Sequence, residues 1–168
     1  QSLIPNPPQL TATSYLLLDA KTLKIISENN AEQSTGLASI TKIMTAYVVA
    51  DQIQKGYLSG SSLVKISEKC WRMEGSRMFI KEGTEVSVSD LMLGIIVQSG
   101  NDASCALAEH IAGSEYDFAE LMNDYARQMN LEETNFMNPT GLPDVNHYST
   151  AEDIAKLSIK LIQDFPET

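Results

Sequence analysis

The chain has 168 residues, 43% apolar and 20% charged, the make-up of one ordinary folded domain with room for a core. A net charge of −10 with no Lys/Arg cluster excludes nucleic acid and anionic lipid as partners of a basic surface. No apolar run reaches the ~18 residues of a membrane span, and nothing suggests a metal or cofactor. Cys70 and Cys105 have neither CxxC nor metal-ligand spacing. They would pair only if the fold brought them together in an oxidising compartment; two part-buried free thiols are the commoner outcome.

Gln1–Leu10, with Pro5, Pro7 and Pro8, reads as an extended arm. Ser14–Asp19 and Leu23–Glu28 read as two strands of a hairpin around Ala20–Thr22. Their central apolar runs predict cover on both faces. A lone hairpin is marginal in water, so this one needs sheet partners. A helix is expected from about Ile40 to Gln54, ended by Gly56. Short β pieces follow at Leu63–Ile66, Arg77–Ile80 and Glu85–Val88, with Lys69–Arg77 as a loop and Trp71 as its packing anchor. Ser89 is expected to cap a helix over Asp90–Val97 that is apolar nearly all round and therefore buried. A third helix, about Ala103–Ile111, stops at Gly113. Ser114 with Asp117, and Thr150 with Asp153, are caps of two further helices, separated by a long loop over Asn135–Ser149.

Two stretches carry chemistry. Ser39 and Lys42 in Ala38-Ser39-Ile40-Thr41-Lys42 are three residues apart, so on a helix they share a face as a nucleophile and a base. A helix cap and a solvated lysine would explain that pair equally well. Ser99-Gly100-Asn101 is a polar knuckle between two apolar helices. By itself it is an ordinary inter-helix turn.

Together they are more specific. Ser-x-x-Lys followed about 60 residues later by Ser-x-Asn is the signature of penicillin-recognising serine enzymes. The chain resembles the low-molecular-mass penicillin-binding proteins, the serine-type D-alanyl-D-alanine carboxypeptidases of bacteria. The likeness runs from Pro5 to Pro166 and includes Thr134-Asn135-Phe136, Gly141-Leu142 and Tyr148-Ser149-Thr150-Ala151. It implies an α+β, β-lactamase/transpeptidase-like fold: a helical subdomain with two N-terminal strands of an incomplete antiparallel sheet. It implies Ser39 as nucleophile, Lys42 as its base, Ser99 as a proton relay and Asn101 as a ligand of the substrate amide. The implied substrate is a peptidoglycan stem peptide ending in D-Ala-D-Ala, with β-lactams as covalent inhibitors and the periplasm as location.

The family's third motif, Lys-Thr-Gly, does not occur in these residues: Lys21-Thr22 is followed by Leu23. The expectation is therefore of the N-terminal part of a longer enzyme, residues 1–168 of a partial domain. Membrane anchoring would come only from a later segment, the open sheet edge would pair with another chain, and these residues alone would have little activity. A class A β-lactamase needs a loop glutamate, and Asn135–Ser149 holds only Asp144. A DD-endopeptidase would use the same residues. The alternative outside enzymology is a helical interaction module. His110 and His147 fall on no family catalytic position and are read as structural.

Overall fold

The structure is a computed structural model, and it describes residues 9–168. The arm expected at the start lies largely outside the described residues; Gln9 and Leu10 are irregular and exposed. The hairpin is present as β1 (Tyr15–Leu18) and β2 (Ile25–Asn29), antiparallel, with Leu16 opposite Glu28. The Asp19 carboxylate closes its turn by accepting from the backbone N–H groups of Lys21 and Thr22 and from the Thr22 hydroxyl. β1 packs on the last helix, but Leu17, Ile25 and Ile26 stay exposed. The expected cover on both faces is therefore not made among the described residues.

Ala38–Thr41 form a single 3-10 turn that runs into α1 (Lys42–Gln54). Nearly all of α1 from Met44 to Asp51 is buried, because it lies between two core clusters. Ala46 and Val49 join the first cluster, while Met44, Tyr47 and Val48 join the second. After β3 (Leu63–Lys65), Ser67 caps a one-turn helix, α2 (Glu68–Trp71), by accepting from the Cys70 N–H. This replaces the loop expected from Lys69. Trp71 is not an anchor: it is 39% exposed, with the Arg72 guanidinium over its ring at 5.2 Å.

Arg77–Ile80 is not a strand. Its Met78 and Ile80 N–H groups donate to the buried Asp102 carboxylate rather than to a neighbouring strand. β4 (Glu85–Ser87) instead pairs with β3. α3 (Val88–Gln98) starts earlier than expected, since Ser87 rather than Ser89 caps it. Only one face of α3 is buried (Leu91, Met92, Ile95); Leu93, Ile96 and Val97 are more than half exposed.

α4 (Asn101–Ala112) begins at Asn101, two residues before the expected start, and ends at Gly113 in the left-handed region. α5 (Glu115–Gln128) and α6 (Ala151–Asp164) are capped by Ser114 and Thr150 as read from the sequence. Cys70 of α2 and Cys105 of α4 are joined in a fully buried disulfide, which corrects the expectation of free thiols. Sequence could not decide this, because 35 residues separate the pair and only the packing of α2 on α4 brings them together. Among the described residues no helix is long and apolar enough to cross a membrane.

Candidate active site

Ser39 sits exposed in the 3-10 turn, three residues before the buried Lys42 that opens α1. Among the described residues the Lys42 amine has three polar contacts. It lies 2.8 Å from Asn101 Oδ1, 2.8 Å from the Thr140 carbonyl oxygen and 3.5 Å from Ser39 Oγ. The first two partners are acceptors only. A neutral amine has two N–H groups and one lone pair. With both N–H groups engaged on carbonyl oxygens, the lone pair is left for the Ser39 hydroxyl. Burial favours this neutral form by desolvating the ammonium, and pushes the Lys42 pKa down from 10.5 to about 8.

Asn101 is oriented by its other end. Its Nδ2 donates to the Glu74 carbonyl at 2.7 Å. A carbonyl cannot donate, so the amide nitrogen must face Glu74 and the amide oxygen must face Lys42. The Asn101 backbone N–H donates to the Ser76 carbonyl at 2.7 Å, and the Ser76 hydroxyl donates to the Gln98 carbonyl. The segment Glu74–Ile80 is thus laced to the start of α4.

Ser99 is half-buried at the left-handed end of α3, φ 52°, two residues before Asn101. Among the described residues no hydrogen bond joins its hydroxyl to Ser39 or Lys42. The fold therefore gathers Ser39, Lys42 and Asn101 directly, and holds Ser99 on the adjoining turn.

Several members of this site were not singled out in the sequence. Thr140 presents its carbonyl because Asn138 Oδ1 accepts from Thr140 N, Thr140 Oγ1 and Gly141 N, which folds the loop tightly. Gly141 has φ +86°, and a side chain there would overlap the Ala38 carbonyl, next to Ser39. Thr45 Oγ1 donates to the Pro139 carbonyl at 2.7 Å. The available signal was Thr41 and Thr45 flanking Lys42, with Asn138-Pro139-Thr140-Gly141 as a turn sequence. His110 is exposed at the end of α4; His147 is buried and bonded to Thr41. A cavity of about 1010 Å³ lies between the hairpin and α6 and is lined by neither Ser39 nor Lys42. The polar contacts of Lys42, not cavity size, mark the candidate site.

The chain is similar to known proteins over nearly its whole length. The chain is 44% identical over 165 residues to the D-alanyl-D-alanine carboxypeptidase DacA of Haemophilus influenzae, covering 96% of this chain and 42% of that protein. It superposes on penicillin binding protein 5 from Haemophilus influenzae with a TM-score of 0.93 at 44% identity, covering 97% of this chain and 48% of that one. The D-alanyl-D-alanine carboxypeptidase DacD from Francisella tularensis also gives 0.93, at 42% identity, covering 99% and 41%. The fold is therefore the α+β, transpeptidase-like one expected, and the chain spans less than half the length of these relatives. The family model described as peptidase S11, D-alanyl-D-alanine carboxypeptidase, matches residues 1–168, and to that family this chain belongs.

Proposed function

We propose that these residues form part of a serine DD-peptidase that removes the terminal D-alanine from peptidoglycan stem peptides through an acyl-enzyme. The observation that carries this is the Lys42 amine, held on two carbonyl oxygens with the Ser39 hydroxyl at 3.5 Å. Such a distance in a ligand-free site tightens when substrate binds.

In the proposed reaction Lys42 takes the Ser39 proton as Ser39 Oγ attacks the penultimate D-alanine carbonyl. A tetrahedral oxyanion forms, with the Ser39 backbone N–H as one donor. The C–N bond breaks, and the leaving D-alanine nitrogen receives the proton from Lys42 by way of Ser99. The remaining Asn101 amide N–H binds the substrate amide. Water, deprotonated at the same site, then cleaves the ester and restores Ser39. Positioned base catalysis of this kind supplies ~10²–10⁴ in rate. β-Lactams acylate Ser39 in the same way and hydrolyse slowly. The buried Cys70–Cys105 disulfide supports an oxidising, extracytoplasmic location.

The test is a fluorescent penicillin on the full-length native protein. Expected are covalent labelling, its loss in Ser39→Ala, and release of D-alanine from a D-Ala-D-Ala peptide. Labelling that survives Ser39→Ala overturns the assignment; cleavage of crosslinked peptides alone points to the endopeptidase. The 168 residues hold no Lys-Thr-Gly. In the family the strand bearing that motif gives the second oxyanion N–H, so a polypeptide of these residues alone is expected to turn over ~10²–10³ more slowly, the usual cost of one missing oxyanion donor.

A further inference from the structure

His147 lies 4% exposed in the loop before α6, 106 residues from the Thr41 it touches. Its two ring nitrogens have different partners. Nδ1 accepts from the Met137 backbone N–H at 2.9 Å, so Nδ1 carries the lone pair. Nε2 then carries the proton and donates to Thr41 Oγ1 at 2.6 Å. The imidazole is therefore held neutral in one tautomer, with no position for a second proton.

Thr41 is the residue immediately before Lys42, and Met137 opens the turn that presents the Thr140 carbonyl to the Lys42 amine. We propose that His147 is a positioning residue for acylation: it ties Thr41 to the Met137–Leu142 turn and so keeps the Thr140 carbonyl on the Lys42 amine. A proton on Nδ1 would set two donors, Nδ1–H and Met137 N–H, against each other at 2.9 Å. The turn would have to move, and Lys42 would lose one of the two acceptors that aim its lone pair at Ser39.

Burial holds His147 below the usual histidine range, so it stays neutral at neutral pH. Asp144, in the same loop, acts against this by favouring the cation. Across the contact, on α1, Lys42 is the charged group next to Thr41. The Phe136 ring packs edge-on to the imidazole at 5.8 Å.

This inference rests on the serine-acylation reading above. The experiment measures the acylation rate of the full-length native protein by a fluorescent penicillin from pH 5 to pH 9, beside His147→Gln and His147→Phe. Glutamine offers an acceptor and a donor at similar spacing but cannot titrate. In the wild type the rate should fall with one proton as Lys42 protonates, and with a second proton at lower pH. His147→Gln should keep the first step and lose the second. His147→Phe should acylate about tenfold to a hundredfold more slowly at every pH, the cost of a misplaced catalytic group. A His147→Gln profile that retains the second acid step, or a wild-type rate in His147→Phe, overturns the proposal. If His147→Phe does not fold, His147→Gln decides alone. No labelling of the wild type would instead sink the acylation reading.

Discussion

Replacing Lys42 by methionine tests the site through stability as well as activity. The side chains are similar in length, but methionine carries no charge and no donor. Burial lowers the Lys42 pKa from 10.5 to about 8 in the folded chain. At pH values below 8 both folded and unfolded chains hold the proton, and the folded chain bears the whole cost of a buried ammonium. Between about pH 8 and pH 10.5 the folded chain has released a proton that the unfolded chain keeps, so stability rises with pH. At ~1.4 kcal/mol per tenfold, the gain across that window is about 3 kcal/mol. At neutral pH the substitution removes this cost but strips the donor from Asn101 Oδ1 and the Thr140 carbonyl, at ~1–3 kcal/mol for each acceptor left bare. The two effects oppose each other, so stability at a single pH does not separate them.

The slope is informative. Urea unfolding of the full-length native protein and Lys42→Met, run at steps from pH 7 to pH 10.5, should give curves that diverge by about 3 kcal/mol in favour of the wild type. At ~1–3 kcal/mol per M urea, the midpoints separate by ~1–3 M. Other groups that titrate at high pH are common to both proteins and cancel. With Cys70 and Cys105 joined, no free cysteine among the described residues exchanges at high pH. Acylation should disappear in Lys42→Met, and in the wild type it should rise with pH to a plateau above about pH 8. Parallel stability curves would refute the reasoning, because they would mean that Lys42 is not desolvated and has no special readiness to act as a base.

Two further outcomes are expected. Gly141→Ala should cost at least ~2 kcal/mol and slow penicillin acylation, since it strains a φ of +86° and drives a methyl into the Ala38 carbonyl; thermal unfolding and labelling rate measure both, and wild-type values in each would contradict the packing described. Cys70→Ala with Cys105→Ala should lower unfolding stability by about 3–4 kcal/mol, the entropy of a closed loop whose ends are 35 residues apart, read by urea unfolding of the double variant; an unchanged midpoint would show that the cross-link adds nothing.

Much of the frame is local and was legible. The Ser114 and Thr150 caps and the Gly113 stop depend on neighbours within one or two turns, so sequence patterns report them directly. The strand expected at Arg77–Ile80 failed for a non-local reason: Asp102, more than twenty residues away, takes its backbone donors. α3 was read as buried all round, yet Leu93, Ile96 and Val97 are exposed, because apolarity states a preference and not which face finds a partner.

The sequence by itself determined the chemistry on offer: Ser39 and Lys42 within one turn, Ser99 and Asn101 on an inter-helix knuckle, and through their spacing the family. Only the tertiary structure decided that Lys42 is buried against Asn101 and the Thr140 carbonyl, that Cys70 meets Cys105, and that His147 grips Thr41. Those contacts join residues 35 to 106 positions apart, and no periodicity encodes them. A helix pattern orders side chains along one face; the pKa of an amine depends on what closes over it.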